Sequence, residues 1–429
     1  MTQRPVAMGV CAVVLFACRL AHATSRDRDD LGIDYETARY EPAGFPTVGG
    51  DTDTGLQLGV ATSLTRFANG TRPYAWTINL VLSASFKNDN GFRLVQQNYV
   101  VALDVPRATT LLGHEVRLLP AGGYVRTINA PYYGRGNATT SVVPPGVADP
   151  AEYYSFLSQM AYARAIARIT LREPYELFFE PRLRYMAPAS YPGSLLANDA
   201  AADGADGRPV VRGLRDEVIA SLSVGFIIDS RDNELFPTSG VYSQIGIKYE
   251  QGIARGNDVA NGNLGAVYGQ YVPVGPLVLA MRGVLDLDLG AVPFFDLYTG
   301  GPYRVLQLPG GSTGVRGVPL GLYSGLVKAV ANVELRTMSP TFHVARQKIR
   351  VGADVFADAG RAFDNYSLDS PRDGHGIGIH WGTGAGAYVA WGDAALIRLE
   401  AAYSPDAIAL GTPVGTLPLG IYVEDGVMF

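Results

Sequence analysis

Apolar and polar residues alternate with a period of two along almost the whole chain from Gly44 onward, and this constrains the fold more than any other feature. Leu56, Leu58, Val60 and Leu64 alternate with Gln57, Gly59, Ala61 and Ser63. Leu177, Phe179, Leu183 and Tyr185 oppose Glu176, Glu180, Arg182 and Arg184, so one side of this stretch is charged and the other is wholly apolar. Val218, Ala220, Leu222, Val224, Phe226 and Ile228 oppose Glu217, Ser221, Ser223 and Asp229 in the same way. Leu277, Leu279, Met281, Leu285, Leu287 and Leu289 oppose Arg282, Asp286 and Asp288. Strands of soluble sandwiches average about five or six residues. The runs here reach the roughly 9–11 residues that a tilted strand needs to cross a bilayer. The pattern therefore predicts an all-β, antiparallel transmembrane barrel with lipid outside and a polar lumen.

Turn residues between the runs place strands near 44–51, 54–66, 73–87, 92–105, 113–129, 152–169, 173–187, 215–229, 240–251, 262–272, 277–291, 322–337, 347–361, 375–391, 395–404 and 417–429. That makes sixteen, an even number as such barrels prefer. With a periplasmic N-terminus, every connection after an odd-numbered strand is external. The long ones, 130–151, 188–214, 292–321 and 405–416, all follow odd-numbered strands, and short ones such as Pro273-Val274-Gly275-Pro276 follow even ones.

Arg4, an apolar run from Val6 to Ala17 and the small-x-small sequence Ala21-His22-Ala23 mark residues 1–23 as a secretory signal peptide. Both cysteines, Cys11 and Cys18, fall inside it, so a chain cleaved after Ala23 has no thiol. Acylation at Cys18 is the alternative, and Phe16 suits it poorly. Residues 24–43 are polar and without period, which suggests a periplasmic linker ahead of a barrel spanning 44–429. Later in the chain there is no apolar run of about 18 residues to form a membrane helix. The net charge of −5 and the scattered Lys and Arg give no footprint for nucleic acid.

Candidate chemistry is sparse. The histidines expected in the mature chain are His114, His343, His375 and His380; the last two have odd spacing on one expected strand and cannot share a metal. Gly382-Thr383-Gly384-Ala385-Gly386 mimics a phosphate loop but lies inside a strand pattern, where glycine eases curvature or close contact. Arg231-Asp232-Asn233 fits a capped turn with a local ion pair. Neither a catalytic group, a metal nor a cofactor is expected.

The glycine-rich stretch Leu308–Tyr323 holds one cation, Arg316, and no acid. Its core, Gly310-Gly311-Ser312-Thr313-Gly314-Val315-Arg316-Gly317, resembles the loop motif of the BamA/TamA-type outer-membrane barrels, also called the bacterial surface antigen family. Phe356-Ala357-Asp358-Ala359-Gly360 is similar to that family's Phe-x-Asp-x-Gly strand. Asp229-Ser230-Arg231-Asp232-Asn233 with Phe236-Pro237-Thr238-Ser239-Gly240 resembles its internal turn, and Val333-Glu334-Leu335-Arg336 the strand after the loop. Tyr132-Tyr133-Gly134-Arg135-Gly136-Asn137 looks like a segment of members with reduced periplasmic parts. Val318 stands where the family prefers Phe or Tyr.

The resemblance implies a sixteen-stranded barrel whose sixth external loop, with Val315, Arg316 and Gly317 in its motif, folds into the lumen. It implies that Arg316 meets Glu334 and Asp358, beside Phe356 and Gly360. Strand parity independently points both carboxylates inward, and a guanidinium can hold two acceptors at once. Residues 24–43 are too few for the family's periplasmic POTRA modules. A final aromatic, Phe429, is expected to act as the barrel's assembly address. The expected protein is thus a monomeric outer-membrane barrel of a Gram-negative bacterium, surrounded by outer-membrane lipid and met by the barrel-assembly machinery during biogenesis. It would aid placement or movement of a protein or lipid client without covalent catalysis; the alternative is a passive or structural pore with no client.

Overall fold

The structure is a computed structural model. It describes residues 36–429 apart from 72–73, 89–91, 204–208, 234–235, 255, 345–346, 368–369, 392–394, 410–418, 426–427 and 429. The expected signal peptide, most of the linker and Phe429 lie outside the described residues.

Sixteen long strands form one antiparallel sheet closed on itself. They are β1 (Arg39–Asp51), β2 (Gly55–Phe67), β3 (Trp76–Asn88), β4 (Phe92–Leu111), β5 (His114–Pro131), β6 (Ser155–Arg172), β7 (Tyr175–Met186) and β8 (Glu217–Asp229). The second half comprises β9 (Gly240–Gly252), β10 (Ala260–Val274), β11 (Leu277–Ala291), β12 (Val327–Met338), β13 (Gln347–Phe363), β14 (His380–Trp391), β15 (Ala395–Tyr403) and β16 (Leu419–Asp425). Each strand pairs with the next, and two short pieces, Ala189–Ser190 and Phe342–Val344, extend the ladder beside β6 and β13. Closure is brief: β1 stays in register with β2 from Arg39 to Asp51, but meets β16 only at Gly50↔Val423 and Asp51↔Tyr422 among the described residues.

The wall has the polarity of a membrane barrel. Leu177, Phe179, Leu183 and Tyr185 of β7 are exposed on its outside, whereas Glu180 and Arg184 of the same strand are buried inside. Burying such charges is tolerable because they pair: Arg182 Nη2 lies 2.7 Å from Glu180 Oε1, and Arg184 donates to Asp296. The long connections 132–154, 187–216, 292–326 and 364–379, and the described start of the one after β15 at 404–409, all follow odd-numbered strands and, in their described parts, lie at one end. The turn after β8 has its expected ion pair, with Arg231 Nε and Nη2 on Asp229 at 2.9 and 2.8 Å, while Asp232 accepts the Thr238 and Ser239 amides.

Three strand starts differ from the sequence reading by five residues, and the other described starts by no more than three. β1 begins at Arg39, so 39–43 belong to the wall and not to a linker. β14 begins at His380, and His375 lies in the preceding connection, where Ser370 caps a short helical turn at Pro371–Asp373. β12 begins at Val327, five residues later than expected, because the preceding segment is held by the loop: Leu322 and Tyr323 are buried and the Ser324 amide donates to the Gly136 carbonyl at 3.2 Å.

Candidate functional site: a loop fastened inside the barrel

The connection 292–326 between β11 and β12 folds inward, and Leu306, Leu308, Val315, Val318 and Leu322 form an apolar cluster with Val267, Val284 and Val330 of the inner wall. Val318, smaller than the family's aromatic, is fully buried in this cluster.

Arg316 is 0% exposed and makes the densest set of contacts. Its Nε and Nη2 clasp Asp358 of β13 at 2.8 and 2.9 Å, and its backbone amide donates to the same carboxylate at 3.1 Å. Nη1 is shared between Glu334 of β12 and Glu400 of β15, each at 2.8 Å. The guanidinium carbon sits 3.4 Å from the centre of the Phe356 ring. One side chain therefore ties three wall strands together. A fourth is reached next door, where the Gly317 amide donates to the Tyr422 hydroxyl of β16 at 2.8 Å.

The backbone around this pin is built for close approach. A Cβ on Gly360 would lie 2.8 Å from Val315 Cγ2, and one on Gly382 would lie 1.9 Å from the Arg316 carbonyl oxygen. Gly317 has φ of +90°, a conformation that other residues adopt at a cost. Asn332 of β12 accepts from Arg282 and donates to the Gly314 carbonyl at 2.8 Å and to Asp358 at 2.9 Å, so the acceptor itself is held in place.

The loop has further fastenings. The Gly301 amide donates to Asp286 at 2.7 Å, and Lys328 bridges Asp286 and Asp288 at 3.1 and 2.6 Å. The Leu320 amide reaches Asp53, in the turn between β1 and β2, at 3.2 Å. The Tyr132-to-Asn137 segment closes over the top: Arg135 pairs with Asp364 at 2.6 Å, and the Asn137 side chain accepts from Ala362 and donates to Gly378.

The structure thus brings Val315, Arg316, Gly317, Glu334, Phe356, Asp358 and Gly360 to one place. Sequence reasoning missed Glu400 and Tyr422. Glu400 alternates with exposed Leu399 on β15, so its inward parity was readable, but nothing local in its sequence marks it as a partner for a loop eighty-odd positions away. Glu334, Asp354 and Glu400 each place one carboxylate oxygen within 4.8 Å of the others, a spacing that could suit a metal ion. Guanidinium groups already serve there: Arg316 on Glu334 and Glu400, Arg398 at 3.5 Å from Glu400 and Arg336 at 3.8 Å from Glu334. His380 and Asp406 form a pair at 3.0 Å.

A closed antiparallel barrel with an apolar outer face and a polar, loop-filled interior is an outer-membrane protein of a Gram-negative bacterium. Residues 197–406 match the Omp85 superfamily domain, and the chain is similar to the outer-membrane barrels of that superfamily. Among solved structures, the fold is similar to BamA from Haemophilus ducreyi lacking POTRA domains 1–3, with a TM-score of 0.56 and 15% identity over 91% of this chain and 70% of that one. It is also similar to CdiB from Escherichia coli, with a TM-score of 0.51 and 13% identity over 90% of this chain and 62% of that one. No curated protein matches the sequence.

Proposed function

We propose that this barrel aids the placement or movement of protein or lipid at the outer membrane by opening between β1 and β16, with no covalent chemistry. The observation that carries this reading is the contrast between the two ends of the wall. Among the described residues, thirteen of β1 are in register with β2 and two with β16. In this reading Arg316, with Glu334 and Asp358, keeps β12, β13 and β15 in register while the seam yields, and Val315, Gly317, Phe356 and Gly360 seat it. Phe429 serves as the assembly address, and the partners are outer-membrane lipid, the barrel-assembly machinery and a client. The barrel acts as a monomer.

Opening is tested by bridging Val48→Cys to Val423→Cys with a short thiol crosslinker in cells that depend on the protein. Loss of function on bridging, restored by reduction, is expected; full function with the seam bridged would end the proposal.

A passive pore is the second reading, and one observation favours it. Inward-facing Gly59, Ala61 and Ser63 of β2 are small, uncharged and half-exposed, whereas the inward positions of β11 are buried under the loop. Steady large conductance of the intact protein in a planar bilayer would support the pore, and a flickering, mostly closed signal the gated barrel.

A further inference from the structure

Tyr40, Arg66 and Trp76 form a cross-strand row on β1, β2 and β3, since Arg66 pairs in register with both Tyr40 and Trp76. The row lies on the outer face, one step beyond the exposed apolar residues Leu64 and Ile78, which are themselves paired in register. It is at the end of the wall opposite the long connections, which is the periplasmic rim. Arg66 Nη1 donates to the Tyr40 hydroxyl at 2.6 Å and its guanidinium carbon lies 5.0 Å from the Tyr40 ring, while the Tyr40 and Trp76 rings are 5.9 Å apart. Among the described residues Arg66 has no carboxylate within ion-pair distance, although Arg39 beside it pairs with Glu41 at 2.6 Å.

A cation with no counter-ion among the described residues, facing lipid and framed by two aromatic rings at headgroup depth, is placed to take an anion from the bilayer. The inner leaflet of an outer membrane supplies phosphate diesters at that depth. A guanidinium holds a phosphate through two parallel N–H donors, and tyrosine and tryptophan favour the same interfacial layer.

The strand beside this row is unsuited to another occupant, a client β-strand. Alternate residues of a strand direct their N–H groups to the same neighbour, and proline has none. With β1 in unbroken register with β2, Pro42 and Pro46 fall on the edge facing β16 and remove two donors from it.

We propose that Arg66, framed by Tyr40 and Trp76, is a binding site for the phosphate headgroup of a glycerophospholipid at the periplasmic mouth of the seam. The site goes beyond the functional reading above and does not depend on seam opening.

The test uses the whole barrel, delipidated in detergent and titrated with dimyristoyl phosphatidylglycerol, with bound lipid counted by native mass spectrometry. Arg66→Gln should weaken retention of the first lipid by about tenfold, the scale of one charge-assisted contact. Arg126→Gln, near the external end of β5, should leave it unchanged. Migration on unheated gels checks that each variant is folded. If Arg66→Gln does not fold, Arg66→Lys substitutes for it: it keeps the charge, loses the planar fork and should show an intermediate loss. Equal retention in wild type and folded Arg66 variants would overturn the site, as would equal loss in the Arg126 variant. Displacement of the lipid by millimolar inorganic phosphate would show a free-anion site and overturn the lipid assignment. Crosslinking of a client peptide, and not lipid, from Trp76→p-benzoylphenylalanine would do the same.

Discussion

The Asp358 carboxylate receives three N–H groups from one residue, the Nε, Nη2 and backbone amide of Arg316, and no solvent reaches either partner's side chain. The planar fork and the amide fix the loop's orientation as well as its position. Arg316→Ala would leave Glu334, Asp358 and Glu400 sharing a buried volume without their common cation. Removing one partner of such a buried arrangement costs about 3–5 kcal/mol. The variant should lose its folded band at a distinctly lower temperature on unheated gels, and protease should cut within 292–326. Arg316→Lys should be intermediate, because an ammonium on a flexible stem cannot span Asp358 and both glutamates. An unchanged melting profile for Arg316→Ala would show that the cluster does not hold the loop.

Two glycines give a matched pair of expectations. A Cβ at Gly382 would lie 1.9 Å from the Arg316 carbonyl oxygen, whereas one at Gly283 would have nothing within 4 Å. Overpacking of this kind costs about 1–3 kcal/mol. Gly382→Ala should therefore lower thermal stability and increase protease access to the loop, and Gly283→Ala should be neutral or slightly stabilising. Equal effects of the two would indicate that β14 simply moves away from the loop.

The wall was readable because its code is local: alternation fixes which side of each strand faces lipid, and turn residues fix the strand ends to within a few positions. The ends failed where a tertiary contact competed. Leu322 and Tyr323 have a strand-like pattern but are drawn into the loop's own cluster, so β12 starts only at Val327. Arg316, Glu334 and Asp358 came from parity and a resemblance working together. Glu400 and Tyr422 escaped because their link to the loop exists only once the barrel closes and brings β15 and β16 beside β13 and β14. The Asp286, Lys328 and Asp288 set escaped for the same reason: each residue alone has the pattern of an ordinary lumen charge.

Asp53, in the external turn between β1 and β2, predicts a pH effect. Burial first and the neighbouring Asp51 second push its carboxyl up from 3.8 to about 7, against the Leu320 amide, which favours the ionised form. Lys87 is the cation nearby. A carboxyl whose folded value is raised binds its proton more tightly in the folded state, so its stabilising contribution is complete below about pH 4 and is lost as the pH climbs towards 7. The thermal midpoint should fall between pH 5 and 8 more steeply in wild type than in Asp53→Asn, and the variant should be the more stable of the two at pH 8. Parallel pH profiles for the two proteins would remove Asp53 as the cause.

Pro42 and Pro46 set the last expectation. Each denies one N–H to the β1 edge that faces β16, and among the described residues the pairs found across that edge are those of Gly50 and Asp51, beyond the second proline. Pro42→Thr with Pro46→Thr restores both donors and places a β-branched residue at exposed strand positions, which suits the pleated wall. Hydrogen–deuterium exchange should then slow at the amides of 39–49, as the edge finds acceptors, and a Val48→Cys, Val423→Cys pair should crosslink faster. If the seam's weakness matters to the cell, the same variant should show a loss of function that matches the chemically bridged seam. Unchanged exchange over 39–49 would mean that the open edge is set by something other than its prolines, and the sequence of β16, described over Leu419–Asp425, would then be the place to look.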